Sequence, residues 1–496
     1  MPCRQPNIVL FITDHHAYFD HDRPGEFTLK MPHFEALAAQ GVRFNRAYSV
    51  CPLCSPARAS MMTGLYPSAH GLRWNTEAPQ QMPKEFRPGQ LLYSHYLSQA
   101  GYRNAYVGKW HCGHERLPLD YGMEGWSLPD YGKPYMSDAY QQYAAALGLG
   151  QARVRVEHNL RHPEWIGQQI VLHHPSPFYF NSGSGVLQGP PAAHETWFVA
   201  HLASQKLREL AQRDQPFSLI VSFWAPHHGF YPTEPYASLI DPQTIPEYPT
   251  FHDSYQGKPL RHLIQRDLHH GSAAQWPDWR VWQQVLARCY GQILQTDAAI
   301  GRVLATLDEL GLQTDTLVIY CSDHGDAVAS HGGLWDKAST YIEEVARVPL
   351  AIRWPARIPA GQGCDRLVSN MDVTATMLHA ACGAVPSGMH SRSLLPLCQD
   401  PQGATWPDCL IAQHHGHGED IVQRIIISGR LKYVAALYDM DELYDLETDP
   451  HETRNLIDDP DYAETRLELR HRLIEHLEQT SDQPASLLLY ALNVGR

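Results

Sequence analysis

Three times along this 496-residue chain an apolar, β-branched run lies next to a stretch of helical period. That alternation limits the folds open to the chain. Residues 7–13 precede a helical pattern at 32–40, residues 217–223 follow one at 196–213, and residues 316–321 follow one at 298–310. Strand and helix in turn predict a mostly parallel sheet with helices on both faces. Ligands in such sheets gather beyond the carboxyl ends of the strands. Asp14 and Asp323 each fall just past such an end.

The length exceeds one ordinary core and predicts two domains. The large α/β unit is expected over 1–385 and a smaller unit over 386–496. Between 115 and 194 the periodicities give way to Pro, Tyr, Gly and His, which reads as long loops facing a ligand. Past Pro386, residues 421–428 and 431–437 flank a Gly429-Arg430 turn and predict antiparallel strands, followed by a helix over 461–479. No internal repeat or low-complexity tract interrupts this order.

Composition removes several classes of function. With 43% apolar and 19% charged residues the chain is that of a globular protein, and no run approaches the roughly eighteen apolar residues a membrane helix needs. The first residues enter an apolar strand without the basic, apolar and small-residue order of an export signal, so the expected place is the cytoplasm. The ten cysteines form no regular framework and are expected as thiols. A net charge of −14 disfavours nucleic acid and anionic membrane as partners. The thirty histidines cluster at 111–114, 227–228 and 414–417.

Three constellations carry chemistry. Cys51-Pro52-Leu53-Cys54 has the spacing of a redox pair or half a zinc site, but no second such pair accompanies it, and neither idea explains Arg58 or Thr63-Gly64. Asp14, in Thr13-Asp14-His15-His16, and Asp323, in Ser322-Asp323-His324-Gly325, would reach one sheet edge from separate strands and hold a divalent cation. A single strand-end Asp is more often a turn or helix cap. Gly108-Lys109-Trp110-His111, Ala225-Pro226-His227-His228 and Gly333-Leu334-Trp335-Asp336-Lys337 supply cations and proton carriers suited to an anionic ester.

Cys54-Ser55-Pro56-Ala57-Arg58, then Thr63-Gly64 and Leu65-Tyr66-Pro67, resembles the signature of the type I, formylglycine-dependent sulfatases of the alkaline phosphatase superfamily. Glu442-Leu443-Tyr444-Asp445-Leu446, Asp449-Pro450, Glu452 and Asn455-Leu456 resemble that family's C-terminal signature. The resemblance implies an α/β, alkaline phosphatase-like fold: a large mixed, mostly parallel sheet sandwiched by helices, with a smaller α+β domain of antiparallel strands and a terminal helix. It implies that a formylglycine-generating enzyme oxidises Cys54 and that the product hydrolyses an aryl or carbohydrate sulfate. Arg58, Lys109, His111, His227 and Lys337 would serve catalysis. Asp14, His15, Asp323, His324 and position 54 would hold one divalent metal. Asn75, Lys109, His227 and Lys337 would touch the substrate.

The sequence departs from the family at the metal. Asp-Asp and Asp-Asn are the common pairs there, whereas His15 and His324 offer imidazoles, so the family's Ca²⁺ stands beside Mn²⁺ or Zn²⁺. Phosphonate monoester and phosphodiester hydrolases share the nucleophile and the Asp-His-Gly element, and place a substrate-binding Asn in the region of Asn75. They lack the Lys109–His111 pair, which favours sulfate. A protein that merely binds sulfated ligands is the third expectation, and it should have lost Cys54, Arg58 or a metal Asp. Homo-oligomerisation is open.

Overall fold

The strand Asn7–Thr13 is Asn-Ile-Val-Leu-Phe-Ile-Thr and is buried along its whole length. Its alternate side chains enter two different cores: Val9 and Phe11 join one cluster, Ile8, Leu10 and Ile12 another. A strand apolar on both faces belongs at the centre of a helix-covered sheet. In the computed structural model, which describes residues 5–18, 27–78, 81–172, 181–266, 276, 278–337, 339–417 and 419–494, it takes that place. Thr316–Ser322 and Phe217–Ser222 flank it, both parallel.

The sheet has eight strands. Beyond Phe217–Ser222 lie Arg103–Lys109 and then Glu124–Leu128, both parallel to their neighbours. On the other side, Leu350–Arg353 runs antiparallel to Thr316–Ser322 and to Val42–Phe44, and Gln362–Cys364 closes the edge. The expected mixed, mostly parallel sheet is thus present. Helix Trp279–Glu309 covers one face together with Glu195–Leu210. Asp372–Cys382 and Tyr93–Gln99 cover the other.

The C-terminal residues form a four-stranded antiparallel sheet, with Gln423–Ser428 and Leu431–Ala436 paired across the Gly429-Arg430 turn. Period-2 alternation divides Ile425-Ile426-Ile427 between two cores. Ile426 packs under the helices Ala463–Thr480 and Ser486–Val494, and Ile425 and Ile427 pack on Tyr48, Tyr341 and Ala346 of the large unit. Buried Lys432 ties the units, reaching Glu343 at 3.1 Å and Glu452 at 2.5 Å. The helix Leu395–Gln399 still packs in the large unit's core through Leu397 and Cys398, beyond the expected division at 386.

The segment 115–194 contains more than loops. Glu124–Leu128 is an edge strand of the main sheet, Asp138–Ala146 is a helix, and Arg153–Asn159 pairs with Gln169–Val171 and Gly183–Leu187. The missed signal is Arg153-Val154-Arg155-Val156, in which buried valines alternate with exposed arginines. Residues 173–180 lie outside the described ones. Among the described residues, no helix is long and apolar enough to cross a membrane.

Candidate active site

Parallel strands deliver their carboxyl ends to one edge, and the candidate residues follow from that register. Thr13 is level with Ser322, and Gly108 with Ser222. The next positions are Asp14, Asp323 and Lys109. Gly108 is required here: its φ is +111°, and a Cβ would stand 1.8 Å from the Ser222 carbonyl oxygen. The helix Cys54–Thr63 begins at the same edge, so Cys54 occupies its first turn, where amide N–H groups favour negative charge. Asn75 Oδ1 accepts one of those N–H groups, that of Ser55, at 3.0 Å. Asn75 therefore caps the helix that carries Cys54.

Arg58 lies one turn along that helix, wholly buried between the two carboxylates. Its Nε donates to Asp323 Oδ2 at 2.8 Å, its Nη2 is 3.3 Å from Asp14 Oδ1, and its Nη1 donates to Ser222 Oγ at 2.7 Å. Lys109 Nζ reaches Asp14 Oδ2 at 2.5 Å. Burial opposes ionisation of Asp14, but Lys109 and then Arg58 overcome it and hold its carboxyl well below the usual range. Burial, with Asp14 as a like-charged neighbour, raises Asp323 against the pull of Arg58.

The two departures from the family pattern meet at Cys54. His15 Nδ1 lies 2.8 Å from Asp326 Oδ2, and His324 Nδ1 lies 2.7 Å from the Gly325 carbonyl oxygen. An acceptor on each Nδ1 requires a proton there, which leaves a lone pair on each Nε2. Those atoms are 3.6 Å and 3.2 Å from Cys54 Sγ. Burial first, then nearby cations, depresses the pKa of His15, and burial depresses that of His324. Both shifts favour the neutral ring that ligation demands. The donor atoms of Asp14, His15, Cys54 and His324 all lie within 4.8 Å of one another, and Asp14 Oδ1 is buried without a hydrogen bond. This donor set fits a divalent cation, with two imidazoles where harder ions prefer oxygen. Asp323 stands beside the set, its oxygens taken by Arg58 Nε and by the N–H groups of His15 and His324.

Lys337 Nζ lies 3.0 Å from both His15 Nε2 and Asp336 Oδ1, and Asp336 keeps it charged despite burial. His227 Nδ1 is 2.5 Å from the His228 carbonyl oxygen, so Nδ1 carries the proton. Burial, then His228, drives the His227 pKa well down. His111 Nε2 bonds both oxygens of Glu77 at 3.0 Å. Burial works against a charged His111, yet Glu77 outweighs it and raises its pKa, while the Glu77 carboxyl falls to about 2. His15 and His111 have φ of +65° and +53°, in the left-handed region that non-glycine residues seldom adopt.

All the expected residues thus stand at one sheet edge, with Asn75 turned to the helix end. Sequence reading passed over Glu77, Asp326, Asp336 and Tyr131, whose ring lies 4.1 Å under Lys109 Nζ. Asp326 stood in plain view three residues past Asp323. Glu77 and Tyr131 lie in stretches without pattern.

A mixed sheet that gathers a buried cysteine at a helix start, two carboxylates and several cations at its strand ends is an arrangement suited to an anionic ester. Comparison narrows the class. The sulfatase family profile matches residues 6–384, and that of the N-sulphoglucosamine sulphohydrolase C-terminal region matches 330–479. The chain belongs to the sulfatase family. It is 28% identical to an uncharacterised sulfatase, YidJ, of Escherichia coli K12, over 97% of this chain and 88% of that one. Among solved structures, the phosphonate monoester hydrolase of Agrobacterium radiobacter superposes with a TM-score of 0.75 at 24% identity, covering 96% of each chain. A protein solved with its substrate D-glucosamine-2-N,6-O-disulfate superposes at 0.73 and 23% identity, covering 97% of this chain and 99% of the other.

Proposed function

We propose that this sulfatase cleaves a sulfate monoester with a formylglycine made from Cys54. The observation that carries the reading is the convergence on Cys54, at the start of a buried helix, of the Nε2 atoms of His15 and His324, 3.6 Å and 3.2 Å away, with Lys337 Nζ 3.0 Å from the former. A hydrated aldehyde at that position supplies one oxygen to attack sulfur and a second hydroxyl whose deprotonation expels sulfate and restores the aldehyde. Asp14, His15 and His324, with Asp323 behind them, would hold one divalent cation, which screens the ester's charge and lowers the nucleophile's pKa. The imidazoles favour Mn²⁺ or Zn²⁺ over the family's Ca²⁺.

The chain's own groups divide the remaining work. Lys109 and Lys337 neutralise the equatorial sulfate oxygens, and Arg58 fixes the carboxylates behind them. His111, backed by Glu77, removes the proton of the second hydroxyl. His227 Nε2 faces the departing oxygen; its ring takes up a proton as the anionic ester offsets the surrounding positive charge, and passes it to the alcohol. Cytoplasm, with its reduced thiols, is the place this reading assigns.

A second reading, phosphonate monoester or phosphodiester hydrolysis, is favoured by one feature, the Asp323-His324-Gly325 element. Lys109 and His111 favour sulfate. Measuring kcat/KM for para-nitrophenyl sulfate, a carbohydrate sulfate and para-nitrophenyl phenylphosphonate tests both. Sulfate turnover above phosphonate turnover is expected, and the reverse order across every sulfate would replace the first reading with the second.

A further inference from the structure

Beside His227 and His228 the site opens into a cavity walled by Tyr131, Tyr135, Trp224 and Tyr231. Glu195, the first residue of helix Glu195–Leu210, also lines it. Glu195 is only 5% exposed, and its Oε2 has no hydrogen-bond partner. Among the described residues no lysine, arginine or histidine forms an ion pair with it. Burial first, helped by the charge of Asp14, pushes its carboxyl up to about 8 against one bond from the Ala225 backbone. Buried polar atoms are normally paired, so an orphan acceptor on a residue that lines an aromatic cavity marks a place for a ligand's donor.

The cavity lies on one particular side of the reacting centre. The His227 ring is 5.0 Å from that of Tyr131, and Lys109 Nζ lies over the same tyrosine at 4.1 Å. His227 faces the departing oxygen in the reading above, so the alcohol half of the ester extends past it toward Glu195. We propose that this cavity seats the leaving alcohol and that Glu195 Oε2 accepts a hydrogen bond from a hydroxyl or ammonium group on it. The rings supply faces for a flat or sugar-like body, and the carboxyl selects bodies that carry a donor. This rests on the ester-hydrolase reading and adds the chemical class of the alcohol.

Three matched esters test it: para-ethylphenyl, para-(hydroxyethyl)phenyl and para-(aminoethyl)phenyl sulfate, whose leaving phenols share a para-ethyl frame and differ only in the donor. Wild-type kcat/KM should favour at least one donor-bearing ester over the ethyl ester by about tenfold or more, because a site built for a donor discriminates against its absence. Glu195→Ala should bring that ratio close to one. Glu195→Gln, nearly isosteric, should keep a preference for the hydroxyl ester and lose one for the ammonium ester, which identifies the source of the donor. A wild-type ratio near one, or a ratio unchanged in both variants, overturns the proposal. If the wild type cleaves none of the three sulfates but turns over phenylphosphonate monoesters, the sulfate reading is what fails. The same three alcohols as phenylphosphonate monoesters then decide the role of Glu195 by the same ratios.

Discussion

His15 gives its Nδ1–H to Asp326 Oδ2 at 2.8 Å and so turns its Nε2 lone pair toward Cys54. A carboxylate behind a ligating imidazole fixes both tautomer and ring direction. Asp326→Asn should therefore weaken binding of Mn²⁺ or Zn²⁺ by about 10- to 100-fold, the usual cost of losing such a partner. Calorimetric titration of chelator-treated protein measures this apart from turnover. Equal affinity in the two proteins would mean that His15 does not bind the cation.

Cys54→Ala should abolish turnover, and Cys54→Ser should leave only a trace, because a hydroxyl lacks the second oxygen by which an aldehyde hydrate expels its product. Mass analysis of the tryptic peptide spanning position 54 should find formylglycine in active protein. Full activity in material whose Cys54 is entirely thiol removes the aldehyde from the scheme.

The pairing of Glu77 with His111 sets a pH dependence. Burial lowers the His111 pKa, Glu77 raises it by more, and the balance lies above the ordinary 6.5. A base must be unprotonated, so the acid limb of kcat should fall above that value. Glu77→Gln removes the raising partner and should move the limb to lower pH, with a lower plateau because the ring is less firmly held. A limb that stays in place in Glu77→Gln would show that another group sets it.

How much of this was legible in the sequence depended on periodicity. The central strands announced themselves because Ile8 to Ile12 are apolar on both faces, and that places Asp14 and Asp323 at an edge without any knowledge of the fold. Lys109, His111, His227 and Lys337 needed the family resemblance, since nothing in their local pattern separates them from surface residues. Glu77, Tyr131 and Glu195 escaped because they act through tertiary placement: Glu77 reaches His111 across 34 residues, in a stretch with no strand or helix period. The alternating Arg153-Val154-Arg155-Val156 was readable and was lost among the prolines and glycines around it.

Arg58 yields the most exacting stability prediction. Its guanidinium is buried between Asp14 and Asp323 at 3.3 Å and 2.8 Å, and Lys109 compensates only Asp14. Arg58→Met keeps much of the volume and leaves two buried carboxylates facing one cation. Breaking a buried pair in this way costs about 3–5 kcal/mol. In chelator at about pH 7 the variant should unfold at a clearly lower urea concentration than wild type. Asp14 has a depressed folded pKa, so wild type gains stability above the unfolded value of about 3.9 and loses it as pH falls through the folded one. Asp323 is raised even with Arg58 present, and without it should bind a proton at still higher pH. The variant's deficit should therefore shrink as pH falls from about 7 toward 5, in the direction in which the unpaired carboxyl takes up a proton. Added Mn²⁺ should also reduce it, since a cation screens the same two charges. Urea midpoints with and without Mn²⁺ at both pH values provide the check, and a variant as stable as wild type in chelator at pH 7 would show that Arg58 does not hold the carboxylates together.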